Sequence, residues 1–367
     1  MATIGTSGGG SANTVNYDSL LSTTLFAYRK TMFDNIFKDS AFLAAMREFD
    51  GVKMQNGGER VAMPLMYGKN ETVKSYEGYE VIDTTPQDGV TTAFYDWREI
   101  AGTISISRKE ERQNSGESKI LDLLEQKSIQ AEMSLREELN RQLITGTVDS
   151  ATFVPGNDAK DLNPLPWFLR KLNATDPVAG GNVGNISGST NTWWQHKTAV
   201  ADSATPDTGN AFAIDLDTYA GVKVGLRRMH NHCSRGSGGG PNLVVTDQVT
   251  YETYENALDI NIRFQNTKLG ELGFDTVKLK NAEMVWDEAV NSVDDGDLAQ
   301  ADGTAYFINT QFMKLCIDSE TDIVVTPFIE PENQTAKTAK ILFMGNLGCS
   351  NLRKCGVVYG IPIATVA

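Results

Sequence analysis

The chain has 367 residues and a formal net charge of −14, room for one large or two modest domains at about 150 residues each. Its acidity argues against a general affinity for nucleic acid or anionic membrane, and no stretch approaches the ~20 apolar residues of a membrane span. The four cysteines, Cys233, Cys316, Cys349 and Cys355, form no CxxC pair, and the opening residues lack the basic flank and apolar run of a secretory signal; a reducing compartment and free buried thiols are expected.

Residues 1–16 read as a Gly/Ser-rich tail. From Tyr17 to Phe37, Leu21, Leu25, Tyr28, Met32 and Ile36 recur at helical spacing, with Asp18 or Ser19 as a cap. Asp39-Ser40 then opens a short second helix through Phe49, and both amphipathic pieces are expected to seek an external groove. Two strand-like runs follow, Glu59–Tyr67 and Thr92–Ile106, joined by a long polar tip. Val61, Met63, Leu65 and Tyr67 share one side of the first run, and Phe94, Ile100, Ile104 and Ile106 one side of the second, because side chains alternate with a period of two. A two-stranded ribbon is marginal in water. With no apolar partner nearby in the sequence, this arm, Lys53 to Ser107, is expected to be covered by a neighbouring subunit.

The strongest helix signal runs from Glu117 to Ile144. Ile120, Leu124, Ala131, Leu135, Leu139 and Leu143 line one face, Leu121, Leu123 and Met133 broaden it, and Asn114 and Gly146 are the expected caps. Glu132–Arg136 and Glu137–Arg141 are spaced as ion pairs worth ~0.2–0.5 kcal/mol each. Val148 to Asp215 reads as loops with short helices anchored by Trp167, Trp193 and Trp194. An α/β alternation follows: helix Asp217–His230, glycine loop Ser234–Pro241, strand Asn242–Thr246 and helix Gln248–Leu258. Strands are then predicted at Thr276–Leu279, Glu283–Asp287, Ala305–Asn309, Lys314–Ile317, Asp322–Phe328, Ala339–Leu347 and Gly356–Ile361.

The chemistry-bearing strings are weak. His230-Asn231-His232-Cys233 carries metal-ligand residue types, but i, i+2, i+3 at a helix end is poor geometry and no second His/Cys cluster lies at a usable spacing. Ser234–Pro241 lacks the Gly-Lys-Ser/Thr ending of a phosphate loop and precedes a strand. Asp294, Asp295, Asp297 and Asp302 do not follow the order of a calcium loop and read as a solvated turn. Three histidines and no Gly-x-Ser-x-Gly elbow leave little room for a nucleophilic triad. On the tip, Lys69 and Lys74 lie among Tyr67, Tyr76 and Tyr79, which would suit nucleic acid; Glu71, Glu77, Glu80 and Asp83 favour an adjacent protein surface instead.

The order of parts, a terminal arm, long β-hairpin, long helix, α/β domain and final strand pair, resembles the major capsid proteins of tailed phages with the Hong Kong 97-type fold. Local text agrees: Tyr28-Arg-Lys…Asp34-Asn-Ile-Phe37, Gly57-Gly-Glu-Arg60, Pro64-Leu-Met-Tyr-Gly-Lys-Asn70, Asn114-Ser-Gly116, Pro327-Phe…Pro331-Glu-Asn-Gln334 and Met344-Gly-Asn-Leu…Ser350-Asn-Leu-Arg353. The resemblance spans about Tyr17 to Gly360 and implies an α+β fold. Its parts would be an N-terminal arm (1–52), an extended hairpin loop (53–107), a peripheral domain with a spine helix over 117–144 (108–214), an axial domain (215–327) and strands returning to the peripheral domain (328–367).

The implied function is non-enzymatic, with no cofactor or metal: self-assembly into hexamers and pentamers of an icosahedral shell around double-stranded DNA, in a virion assembled in the host cytoplasm. Expected partners are copies of the chain, a separate scaffolding protein, a portal protein and a decoration protein, with no membrane. Inter-subunit contacts are expected at Tyr28, Arg29, Phe33, Phe37, Arg60, Tyr67, Lys69, Lys74, Tyr76, Tyr79, Trp97 and Arg98. Some members of the family weld subunits by a Lys–Asn bond; Lys69 or Lys74 would be the lysine, and ordinary salt bridges are the simpler expectation. The alternatives are an encapsulin-like nanocompartment shell and, from another class, a metal-dependent hydrolase using His230, His232 and Cys233.

Overall fold

The computed structural model describes residues 40–113, 123–145, 160–170, 182–200, 211–213, 219–258, 277–290, 303–331 and 335–361. The predicted helix over Tyr17–Phe37 lies outside them, and with it Tyr28, Arg29, Phe33 and Phe37; so do Asn114, Gly146 and the acidic run from Asp294 to Asp302.

In chain order the elements begin with helix α1 (Ala41–Glu48) and strand β1 (Val52–Gln55). Strands β2 (Val61–Met66), β3 (Val90–Tyr95) and β4 (Arg98–Ser107) follow, then helices α2 (Arg108–Gln113) and α3 (Leu123–Thr145). Next come a one-turn helix α4 (Leu165–Phe168), a small hairpin of β5 (Asn182–Val183) and β6 (Ile186–Ser187), and strands β7 (Lys197–Val200) and β8 (Ala211–Ala213). The second half holds α5 (Tyr219–Ser234), β9 (Leu243–Thr246), α6 (Gln248–Asn256), β10 (Val277–Leu279), β11 (Ala282–Trp286) and β12 (Gly303–Ile308). It ends with β13 (Met313–Asp318), β14 (Val324–Val325), β15 (Ala336–Cys349) and β16 (Gly356–Ile361).

Two sheets organise these parts. The larger has the order β10-β11-β9-β12-β16-β7-β8, and the smaller joins β1, β13, β15 and β14 with β4 alongside β15. The central strands of the larger sheet read Leu-Val-Val-Thr and Gly-Thr-Ala-Tyr-Phe-Ile without alternation, and every one of these residues is buried. Such runs need cover on both faces. One face packs under α5 and α6 through Val222, Leu226, Met229, Tyr251 and Tyr254. Val245, Val285, Tyr306 and Ile308 join the main core with Phe42 and Met46 of α1.

The 14-residue β15 ties the smaller sheet together, reaching about 46 Å at ~3.3 Å per residue. Its first ten residues pair antiparallel with β4, Ala336 opposite Ser107 through Gly345 opposite Arg98. Its last five pair with β13, Gly345 opposite Ile317 through Cys349 opposite Met313. Helix α3 lies across this sheet and buries Leu135, Leu139, Leu143 and Ile144.

Several expectations need correction. The helix predicted from Asp39-Ser40 exists, capped by the Ser40 Oγ, which accepts from Leu43 N, but it docks in the chain's own core, with Phe42, Ala45 and Met46 buried. The second arm run is not one strand. The chain turns at Asp96-Trp97, so that β3 pairs with β2 and β4 pairs with β15. Phe94 is consequently exposed, while Ala93 and Tyr95 face inward. Arg141 bonds to Glu138 rather than Glu137, whereas the Glu132–Arg136 pair forms as expected. Strand β14 covers only two residues of the predicted Asp322–Phe328 run, and β7 and β8 lie where loops were expected. The 327/328 boundary does not follow the sheets: β13 and β14 join β15 in the smaller one, and β16 joins the larger.

Candidate assembly arm

The arm has a buried root and a bare tip. At the root, β2 pairs with β3 from Val61–Tyr95 to Met66–Val90. Val61, Met63, Leu65, Ala93 and Tyr95 all enter the main core of the same chain. The absence of an internal partner, expected from the sequence, is overturned at the root: the cover comes from β15 and the α4 segment. Tyr95 packs against Trp167 and Phe168, its ring centroids 6.4 and 5.7 Å from theirs. Its hydroxyl donates to Cys349 O at 2.7 Å, and burial pushes that phenol well above its ordinary pKa.

The β5–β6 hairpin clasps the root from outside. Phe94 N donates to Gly184 O at 3.2 Å, and Tyr67 stacks on Trp193 with centroids 4.8 Å apart and planes 17° from parallel. Gly184 and Asn185 are both left-handed, φ 62° and 63°, as a tight two-residue hairpin requires. A Cβ at Gly184 would sit 2.9 Å from the Ala93 Cβ and 3.0 Å from the Tyr95 hydroxyl, so only glycine allows this approach. The signal for this clasp was legible: Val183-Gly-Asn-Ile186 is a hairpin pattern.

Nine of the sixteen large apolar side chains exposed among the described residues belong to segment 66–94: Met66, Tyr67, Val73, Tyr76, Tyr79, Val81, Ile82, Val90 and Phe94. A concentration of this kind on one projecting segment marks an interaction surface. Lys69 and Lys74 are exposed beside it. Three other expected contact residues, among those described, have partners or cover within the chain. Arg60 pairs with Asp96 at 3.1 Å on the surface, Trp97 donates from its indole to Gly58 O at 2.9 Å, and Arg98 is half-buried at the head of β4.

The other candidate strings fall into structural roles. His230, His232 and Cys233 lie in the last turn of α5, where positions two apart point ~200° from each other. Cys233 is buried against Met229 and burial drives its thiol pKa up, which disfavours the thiolate a metal needs. Among the described residues, no group of three His, Cys, Asp or Glu is placed to hold a metal. In the glycine loop, main-chain carbonyls of Arg235, Gly236 and Gly239 accept from the Lys354 ammonium at 3.1, 3.3 and 3.1 Å. That loop presents oxygens inward to a cation, the reverse of a phosphate cradle.

Two buried polar residues that sequence reasoning missed organise the body. Asp287 accepts from Phe42 N at 3.1 Å, Ala289 N at 2.9 Å and the Asn140 side chain at 3.2 Å. It thereby joins the start of α1, the C-terminal part of α3 and the end of β11. His196 is fully buried, its Nε2 donating to Arg170 O at 2.9 Å; burial pulls its pKa down to about 4.

No protein-family model and no curated protein matches the sequence. Solved structures do. A chain of the cyanophage A-1(L) capsid superposes with a TM-score of 0.58 at 14% identity, covering 93% of this chain and 99% of that one. This is the Hong Kong 97-type fold. A chain from the capsid of the myovirus phage XM1 shares it at a TM-score of 0.50 and 12% identity, over 92% and 97% of the two chains. So does the SrpI encapsulin of Synechococcus elongatus PCC 7942, at 0.51 and 8% identity, over 95% and 97%. At identities this low the superpositions establish a shared fold over nearly the whole chain, and the fold alone.

Proposed function

We propose that this protein is the major capsid subunit of a tailed phage, a structural rather than catalytic chain that assembles with copies of itself into an icosahedral shell. The observation that carries the reading is a fold shared with phage capsid chains combined with an arm segment, 66–94, that displays nine of the sixteen large apolar side chains exposed among the described residues. In this reading the tip lies on a neighbouring subunit, within hexamers and pentamers that enclose double-stranded DNA. The five-stranded sheet with α3 acts as the peripheral domain and the seven-stranded sheet with α5 and α6 as the axial domain. Tyr67 and Trp97 serve the arm from within, while Lys69, Lys74, Tyr76 and Tyr79 touch the neighbour. Scaffolding, portal and decoration partners, and assembly in the host cytoplasm, follow from the resemblance alone.

The test is direct. Purified protein is examined by electron microscopy and light scattering, alone and with a crowding agent. Closed particles are expected from the wild-type chain. A variant carrying Tyr76→Ser, Tyr79→Ser and Val81→Ser should keep its thermal transition and form none, because the three side chains are exposed and support no core. A soluble monomer under all conditions, or a triple variant that assembles normally, would overturn the reading. The encapsulin relationship supports a second one, a shell around protein cargo; particles isolated with protein cargo and no nucleic acid would favour it.

A further inference from the structure

Three of the four cysteines converge where the two sheets meet. Cys349 closes β15 in the smaller sheet, opposite Met313. Cys355 stands one residue before β16 in the larger sheet, its carbonyl accepting from Lys197 N at 3.1 Å. Cys233 reaches the same place from the last turn of α5: a Cβ on Gly356 would lie 3.0 Å from its Sγ. All three are fully buried.

Residues 350–354 fold the chain back between Cys349 and Cys355. A 3-10 turn covers Leu352–Lys354, with Lys354 N donating to Asn351 O at 3.3 Å and Cys355 N to Leu352 O at 2.9 Å. The turn returns one sulfur to the other. The Cys349 thiol donates to the Cys355 sulfur, which also accepts from the Asn309 main chain. Cys233 is engaged elsewhere, its thiol donating to the Met229 sulfur at 3.8 Å. Two donors aimed at one sulfur favour its thiolate. The thiol hydrogen bond pulls the Cys355 pKa down, and burial pushes that of Cys349 up. The pair is divided into a nucleophile and a protonated neighbour, so that one sulfur can be oxidised and the other can resolve it.

We propose that Cys349 and Cys355 are a latent disulfide, thiols while the chain is made and a covalent bond once it meets a peroxide outside a reducing compartment. The Cys355 thiolate attacks an oxygen of hydrogen peroxide, the O–O bond breaks and hydroxide leaves, giving a sulfenic acid. The Cys349 sulfur then attacks the Cys355 sulfur, the S–O bond breaks, and the departing hydroxide takes the Cys349 proton as water. In all, two thiols and one hydrogen peroxide become one disulfide and two waters. The 350–354 turn reaches the surface at Arg353, which is exposed, so opening that turn alone admits a molecule as small as peroxide. Burial afterwards keeps larger reductants from the product. The closed ring fixes the step by which the chain passes from the smaller sheet to the larger. The bond does not rest on the shell reading; its timing does, because a particle that leaves a cell passes from a reducing to an oxidising medium.

The test uses the full chain, purified under reductant, freed of it and treated with hydrogen peroxide without denaturant. Unfolding into an alkylating agent then counts the remaining thiols. The count should fall from four to two, peptide mass mapping should find Cys349 joined to Cys355, and the denaturation midpoint should rise. In Cys349→Ser the Cys355 sulfenic acid has no resolving thiol and should be captured by dimedone, with no rise in midpoint. Cys316→Ser should form the bond as the wild type does. Four thiols surviving the peroxide, a bond from Cys355 to Cys233, or bonds only between chains would each overturn the proposal. A bond that leaves the midpoint unmoved would overturn its role as a fastening. The wild-type peptide map decides the matter even where a serine variant fails to fold. A chain that never assembles removes the shell reading and leaves that map unaffected.

Discussion

Asp287 and His196 show how single buried polar groups govern this body. Asp287 collects donors from three elements distant in sequence, and removing its carboxylate leaves the Phe42 and Ala289 amides and the Asn140 side chain with one acceptor fewer in a dry site. Asp287→Ala should cost about 2–4 kcal/mol, read from the denaturant midpoint, and Asp287→Asn should cost less because an oxygen remains. His196 makes stability depend on pH. Its folded pKa of about 4 lies below the ordinary 6.5 because burial disfavours the cation. Between those values the unfolded chain binds a proton that the folded one does not. The contribution is therefore complete above pH 6.5 and is lost as pH falls towards 4, on the order of 3 kcal/mol in all. Denaturation curves from pH 7 to pH 4 should show a steeper loss for the wild type than for His196→Gln.

Helix α3 divides along its length. Leu139 is buried in the main core, whereas Ile129, ten residues earlier, is 43% exposed. Leu139→Ala should cost about 2–5 kcal/mol and Ile129→Ala under about 1 kcal/mol, by chemical denaturation. The helix and the α/β half were legible because long apolar periods dominate local noise. β16 begins and ends where Gly356–Ile361 was predicted, and α5 overruns its predicted end by four residues, to Ser234. β7 and β8 were illegible for the opposite reason: four and three residues in Thr-, Asn- and Gly-rich surroundings carry no period of their own, and the sheet recruits them. The error at Phe94 has a geometric source. Inward residues are odd-numbered in β3 (Ala93, Tyr95) and even-numbered in β4 (Ile104, Ile106), so one continuous alternation through Asp96-Trp97 assigned the wrong face upstream. The root's burial was equally hidden, because its partners Phe168, Trp193 and Cys349 lie far along the chain. The tip was legible as an arm because its exposure is a property of the segment itself.

At the scale of the molecule, charge sets the terms of association. Each copy carries −14, so identical copies repel at long range, and added salt shortens that repulsion to a Debye length of ~10 Å at 0.1 M. Assembly followed by light scattering should accelerate as salt rises from low to moderate concentration. Lys69→Glu with Lys74→Glu moves the net charge from −14 to −18, two positives lost and two negatives gained. That variant should assemble more slowly at low salt and approach the wild type at high salt. A wild-type rate that falls steadily with salt would show that attraction between opposite charges, not repulsion, dominates the encounter.

The ten consecutive residue pairs between β4 and β15 stand at the foot of the arm. A pull along the strand axis loads those rungs in parallel, so they must yield together; a pull across it would open them one at a time, like a zipper. Anchored this way, the limb resists tension directed along its own root far better than it resists peeling. In the shell proposed above, a tether running in the plane of the wall would meet tension between subunits in its strongest direction.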